Sequence, residues 1–349
     1  MSVYQQRLEE ISRTPQAWVV TGAAGFIGSN LLERLLLSGQ RVVGVDNLAS
    51  GFQRNLDEVQ HSVGTDCWER FQFIEGDIRD PQVCERALAG ADHVIHLVAR
   101  TSVPLSIKAP EETHSVNVSG FLGILMAARS HGVKRVVYAS SSAVYGDDPH
   151  SPKVEERLGN SISPYATSKR MNELYADVFS RCYGLSTVGL RYFNIFGPRQ
   201  DPNGAYAAVI PCWISAMFRG DEVSINGDGK TSRDFCFVQD VVQANILAAT
   251  ADMGEERGTT VFNIGTGKET TLNDLFVTLR DIVQREKGGA GIHEAIHKDF
   301  RPGDVRHSCA DISRARRGLG FVPDCGLREG LASLVAWSVA RELAGTARG

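Results

Sequence analysis

The sequence predicts an α/β protein built on a doubly wound parallel sheet, with a smaller interleaved C-terminal domain. Three observations carry this expectation. Ala17-Trp18-Val19-Val20-Thr21 reads as a buried strand that runs directly into the turn Gly22-x-x-Gly25-x-x-Gly28 and then a helix. Apolar strands alternating with helical stretches then repeat as far as Arg191, the pattern of a parallel sheet covered on both faces. Polar and small residues gather just after these strands, where such sheets bind ligands. A chain of 349 residues accommodates one large core or two unequal domains. The expected division is 1–195 for the main domain and 196–349 for the second, with some later segments returning to the sheet.

Taken in order, residues 1–14 place Val3, Tyr4, Leu8 and Ile11 on one face and predict a short amphipathic helix. After the glycine turn, Ser29 to Leu37 continue as a helix, and Arg41 to Asp46 form the second strand. The unit is therefore βαβ with an acid closing its second strand, the arrangement of a Rossmann-type dinucleotide site. The glycines let the backbone approach a pyrophosphate seated over the helix N-terminus. Asp46 is placed to accept ribose hydroxyls and to repel a 2′-phosphate, which selects NAD over NADP.

Phe71 to Ile78 is the next predicted strand, with Asp77 positioned for an adenine amino group. Asp92 to Leu97 follows, leading into Val98-Ala99-Arg100-Thr101-Ser102. Pro110 to Ser130 reads as one long helix containing Asn117, Arg135 to Ser140 as a strand ending at a serine cluster, and Leu185 to Arg191 as a further strand. Beyond residue 195 the periodicity loosens. Helices are expected around Ala207 to Phe218, Gln239 to Ala249, 271–286, 311–318 and 326–342. A polar hairpin-like loop is expected at Ile225 to Asp234, a strand at Val261 to Gly265, and fraying from Ala344.

Composition sets limits. A net charge of −4 argues against a broad nucleic-acid or anionic-membrane surface. No apolar run reaches the ~18 residues that span a bilayer, and the first residues lack the apolar core of a signal peptide. Seven scattered cysteines without C-x-x-C spacing read as reduced thiols in a cytoplasmic protein. The nine histidines show no ligand spacing, so no metal is expected.

The chemistry centres on Tyr165-x-x-x-Lys169, with Ser140-Ser141-Ser142 upstream. Residues four apart share a helix face. A phenol with a pKa near 10 is a poor base at neutral pH, but a fixed cation nearby lowers that value and makes a phenolate accessible.

With these motifs in hand, the chain resembles the extended short-chain dehydrogenase/reductases acting on nucleotide sugars, over nearly its whole length. Later strings, among them Leu190-Arg191-Tyr192-Phe193-Asn194, Asn226-Gly227-Asp228-Gly229, Thr231-Ser232-Arg233-Asp234-Phe235 and Arg301-Pro302-Gly303-Asp304-Val305-Arg306-His307-Ser308, are similar to bacterial UDP-N-acetylhexosamine 4-epimerases of surface-polysaccharide pathways. The resemblance implies that Tyr165 removes the sugar O4 proton while C4 gives hydride to NAD⁺. Lys169 holds the nicotinamide ribose and Ser141 relays the proton. Rotation of the 4-keto sugar and hydride return then invert C4. It also implies cofactor contacts from Gly22, Gly25, Phe26, Ile27, Gly28, Asp46, Asn47, Ser50, Gly51, Asp77, Ile78, Leu97, Ala99, Asn117 and Phe193. Substrate contacts are implied for Ser102, Ser141, Ser142, Asn194, Gln200, Ala208, Val209, Trp213, Asn226, Arg233, Arg301, Asp304 and Ser308, with the arginines gripping the UDP diphosphate. Pairing of helices 110–130 and 164–183 with their copies implies a homodimer.

The neighbours of Ser141 narrow the reaction. Dehydratases of this group carry Asp–Glu where Ser142 and Ala143 stand, and decarboxylating relatives carry Glu in place of Ala143, so epimerisation is expected. Small Ser308 leaves room for a 2-acetamido group. Arg100, unusual for the group, could pair with a uronate carboxylate or form a salt bridge elsewhere.

Overall fold

The sheet is built from seven parallel strands: β1 (Ala17–Thr21), β2 (Arg41–Asp46), β3 (Phe71–Glu75), β4 (His93–His96), β5 (Arg135–Ser141), β6 (Thr187–Tyr192) and β7 (Thr260–Ile264). Their spatial order is β7-β6-β5-β4-β1-β2-β3. The computed structural model describes residues 1–202, 208–254, 260–287, 292–300 and 305–346. The sequence reverses its direction of winding between β1 and β4. The carboxyl ends of those two strands, paired at Thr21 and His96, therefore frame a crevice.

Local chemistry explains where the elements begin and end. Ser2 and Gln5 form a reciprocal capping box at the N-terminal helix Val3–Arg13. Asp80 caps the helix Pro81–Leu88, and Ser163 caps Pro164–Tyr183, each with proline in the first turn where no N–H is missed. Gly184 ends the latter helix in the left-handed conformation. Apolar residues pack on both faces of the sheet, with Trp18, Val20, Leu31 and Leu190 on one side and Val19, Val94, Phe121 and Val136 on the other.

Two expectations are corrected. The stretch from Pro110 to Ser130 is not one regular α-helix but Pro110–His114, a π-helical segment Ser115–Ser119 and Gly120–Ser130. The extra residue per turn rotates Asn117 towards the loop after β4. The stretch Ile225 to Asp234 is not a hairpin. Ser224–Asn226 pairs with Ile296–Lys298, whereas Ser232–Arg233 pairs with Thr270–Thr271 and His307–Ser308. Gly227 and Gly229, at φ +76° and +71°, turn the chain between these two small sheets. Four helices not singled out from the sequence, Gln53–Val63, Thr65–Trp68, Pro81–Leu88 and Val103–Lys108, fill the connections. The last helix, Leu327–Thr346, continues past the expected fraying point at Ala344.

The later residues form a second apolar cluster around Phe196, Trp213, Phe237, Leu279 and Leu331. They also return to the main sheet, since β7 pairs in register with β6 (Phe262 opposite Leu190) and the helix Val238–Thr250 is buried almost throughout.

Candidate active site

The carboxyl ends of β1 to β6 open into a cavity of about 560 Å³. Its lining unites the turn after β1, Asp46 and Asn47 after β2, Asp77 and Ile78 after β3, Leu97 to Thr101 after β4, Ser140 and Ser141 at the end of β5, and Phe193 beyond β6. Tyr165 and Lys169 enter from the helix Pro164–Tyr183.

The glycine turn fits a dinucleotide phosphate group by two observations. A Cβ on Gly28 would lie 1.9 Å from the carbonyl oxygen of Gly22, so only glycine lets the helix start this close to the turn. Gly25 occupies the N-cap of the helix Phe26–Leu37 without any side-chain cap, leaving the first-turn N–H groups for an anion. Asp46 is buried, and its two oxygens accept the N–H groups of Ala24 (3.0 Å) and Leu48 (2.9 Å). Burial raises its pKa against these hydrogen bonds. Ser50 and Gly51 lie beside it, and a Cβ on Gly51 would stand 2.8 Å from its carboxylate. Asp77 also lines the cavity but is already engaged. Arg79 donates through Nε (2.9 Å) and Nη2 (2.6 Å), Asn47 donates at 3.0 Å, and the Arg79 hydrogen bond foremost holds the carboxyl down at about 2.

At the other end, the Ser141 hydroxyl stands beside the phenol of Tyr165, and its Oγ accepts the N–H of Ala143 at 3.1 Å. Burial raises the Tyr165 pKa, and the Ser141 contact opposes that rise. Lys169 does not act as expected on the phenol. Its Nζ donates to the carbonyl of Ala139 at 2.8 Å, and burial lowers its pKa to about 8. The expected depression of the Tyr165 pKa is therefore absent, because the ammonium is turned to the backbone of β5.

Behind these groups runs a buried polar network that the sequence reading does not identify. Glu173, one turn beyond Lys169, accepts Ser140 Oγ (2.7 Å) and both Nε and Nη2 of Arg191 (2.8 and 2.9 Å). Arg191 also donates to Tyr145, whose hydroxyl donates to Asn263 at 2.5 Å. Burial pushes the Glu173 carboxyl up, but Arg191 overcomes this and keeps it ionised. The i, i+4 and i, i+8 spacing from Tyr165 is the only sequence signal for it.

Asn117 does not line the cavity. Its Oδ1 accepts the Arg100 N–H (2.7 Å), and its Nδ2 donates to the Arg100 carbonyl (3.1 Å) and Ser168 (2.9 Å), so it fastens the loop after β4. Ser102 is likewise a helix cap, accepting the Leu105 N–H at 3.2 Å. Gln200 and Ala208 do line the cavity, and among the described residues the buried Gln200 Oε1 has no partner. Ser142 opens the short turn Ser142–Tyr145, and Val209 opens the helix Val209–Arg219. Trp213 is packed in the second apolar cluster with its indole N–H on Ser224 O (3.3 Å). Asn194 begins a short strand paired with Phe235, Asn226 ends another, and Arg233 and Ser308 are opposite each other in adjacent strands. These residues lie outside the cavity lining, in the second half of the chain. Arg301 and Asp304 fall outside the described residues. Among the described residues no group of three or more His, Cys, Asp or Glu could hold a metal, and no helix is long and apolar enough to cross a membrane.

Residues 18–265 match the model of the NAD dependent epimerase/dehydratase family. The chain is 39% identical over 319 residues to a UDP-glucose 4-epimerase of Mycolicibacterium smegmatis, covering 91% of this chain and 96% of that one. A solved structure of UDP-N-acetylglucosamine 4-epimerase from Methanobrevibacter ruminantium M1, in complex with UDP-N-acetylmuramic acid, superposes with a TM-score of 0.85 at 39% identity, covering 94% of this chain and 99% of that one. MoeE5, in complex with UDP-glucuronic acid and NAD, superposes at 0.78 with 34% identity, covering 93% and 99%.

Proposed function

The chain belongs to the NAD dependent epimerase/dehydratase family, and on that premise we propose that it catalyses reversible C4 epimerisation of a UDP-N-acetylhexosamine, UDP-GlcNAc to UDP-GalNAc, and also accepts UDP-Glc and UDP-Gal. The observation that carries the reaction type is the Ser141 hydroxyl beside the Tyr165 phenol, followed in the chain by Ser142 and Ala143 and by no acid. Ser142 and Ala143 offer neither the proton donor nor the base that elimination needs. NAD, when bound, supplies the reversible two-electron acceptor for the sugar carbon. Tyr165 takes the O4 proton through Ser141 and returns it after the sugar has turned. Lys169 holds the nicotinamide ribose, and both Tyr165 and Lys169 are buried from bulk water. Retention of all three groups argues against a non-catalytic NAD-binding regulator on the same fold.

The acetamido preference rests on Ser308, whose small side chain stands opposite Arg233. A hexuronic acid is the competing substrate, and its case rests on Arg100 as a partner for the carboxylate. Arg100 is paired with exposed Glu112 at 2.6 Å. We assign NAD to residues 1–195 and the UDP-sugar mainly to 196–349. Exposed Met126, Leu174, Tyr175, Val178 and Tyr183 on two neighbouring helices form the face through which we read a cytoplasmic homodimer serving surface-polysaccharide synthesis. The decisive test incubates purified protein with UDP-GlcNAc, UDP-Glc and UDP-GlcNAcA separately and follows the sugar H4 by NMR. A galacto product from UDP-GlcNAc supports the proposal. Turnover of the uronate alone moves the assignment to the competitor, and silence on all three, with NAD added, removes the 4-epimerase reading.

A further inference from the structure

A dinucleotide brings a diphosphate with two negative charges to the glycine turn of a chain whose own net charge is −4. Among the described residues lining the cavity, the cations are Arg79, Arg100 and Lys169. Arg79 is taken up by Asp77 through two donors. Lys169 donates to Ala139 at the catalytic end. Arg100 differs from both. Its side chain makes one hydrogen bond, Nη2 to Glu112 Oε2 at 2.6 Å, and both partners are well exposed. Ion pairs of that kind contribute little because water screens them.

The position of Arg100 relative to the glycine turn is defined by two contacts. Its backbone N–H and carbonyl are both held by Asn117, so the side chain swings from a stationary Cα. The loop that carries it abuts the turn. A Cβ on Gly22 would lie 3.2 Å from the Val98 nitrogen and 3.3 Å from the Leu97 carbonyl carbon. Arg100, two residues beyond Val98, is thus a cavity-lining cation on the loop that abuts the phosphate cradle, with exposed Glu112 as its side-chain partner among the described residues.

We propose that Arg100 is a diphosphate clamp: it exchanges the carboxylate of Glu112 for the diphosphate of the bound dinucleotide. The exchange replaces one exposed carboxylate by a dianion that a planar guanidinium engages through two parallel hydrogen bonds, the stronger arrangement. Glu112 then acts as the competitor that sets how firmly the cofactor is held. The inference rests on the NAD reading of the cavity, and it concerns binding, not the chemical step.

The test measures the dissociation rate of bound NADH, by its fluorescence during a chase with excess NAD⁺, and the affinities for ADP-ribose and UDP by calorimetry. Arg100→Ala is expected to speed NADH release at least ten-fold and weaken ADP-ribose to the same degree, leaving UDP within two-fold. Arg100→Lys should fall between this variant and the parent. Glu112→Gln should slow release two- to five-fold, and the double variant should match Arg100→Ala. Unchanged NADH release in folded Arg100→Ala overturns the proposal. Weakened UDP with unchanged ADP-ribose also overturns it, by assigning the clamp to the sugar nucleotide. Failure of the cofactor reading itself looks different, because the parent chain would then bind neither NADH nor ADP-ribose.

Discussion

The ammonium of Lys169 donates to the carbonyl oxygen of Ala139 at 2.8 Å, two residues before Ser141 on the same strand. The contact ties the catalytic helix to the end of β5, and burial sets the side chain's protonation. Burial places its pKa at about 8, so the ammonium is lost as pH rises through that value. Epimerase activity should therefore fall above about pH 8. Replacing the group by Met should lower kcat on the order of 100-fold or more, as expected for loss of a group supporting acid–base catalysis. A pH–rate profile of the parent that stays flat to pH 10 would show that the charge on Lys169 is not required.

Tyr165→Phe removes the hydroxyl beside Ser141 while keeping the ring in its buried site. The fold and NAD content should be preserved, and turnover of the sugar should fall by about two to four orders of magnitude. Rates within ten-fold of the parent would place the base elsewhere.

Gly28→Ala puts a methyl group 1.9 Å from the backbone oxygen of Gly22. Neither partner is a flexible side chain, so the turn itself must move. The variant should purify with little or no NAD and melt at lower temperature. A normal NAD content, measured after denaturation, would contradict the fit described for the cradle.

Glu173→Gln leaves Arg191 buried with its counter-charge removed. Breaking such a pair costs about 3–5 kcal/mol, measurable by urea unfolding at pH 7. A loss below about 1 kcal/mol would mean that Tyr145 and the Glu155 carbonyl, which Arg191 Nη1 also meets at 3.0 Å, suffice to hold the guanidinium.

Acid should destabilise the protein through two buried imidazoles. Burial lowers the pKa of His93 to about 4 and of His96 to about 3. In the unfolded chain both bind protons near 6.5. Their contribution to stability is therefore complete above pH 6.5 and is lost progressively as pH falls from there towards 4 and 3. The slope is about 1.4 kcal/mol per pH unit for each group. His96→Gln should flatten the dependence of melting temperature on pH between 6.5 and 4, and an unchanged slope would exclude His96 as a contributor.

How far the sequence reveals these features depends on how local they are. The strand–turn–helix of residues 17–37 and the Tyr165/Lys169 helix are legible because apolar period, glycine spacing and capping residues all lie within one element. The cavity is legible too, since its walls are the residues following each parallel strand. Partner choice is not. Nothing local indicates that Asn117 clasps Arg100, that Lys169 turns to Ala139, or that Glu112 stands at the cavity wall, since each contact joins segments brought together only by the sheet. The pairing of Ser224–Asn226 with Ile296–Lys298 is equally remote, and local polarity mimics a hairpin there.

The pairing of β7 with β6 also bears on how the chain reaches its native state. A ribosome must release the helix Val238–Thr250 and the strand after it before the sheet acquires its last member. Until then β6 presents a bare row of backbone donors and acceptors to other nascent chains. Shortened forms ending before residue 264 should accordingly aggregate instead of yielding a self-sufficient cofactor module. The two halves of this molecule are made one after the other but mature together.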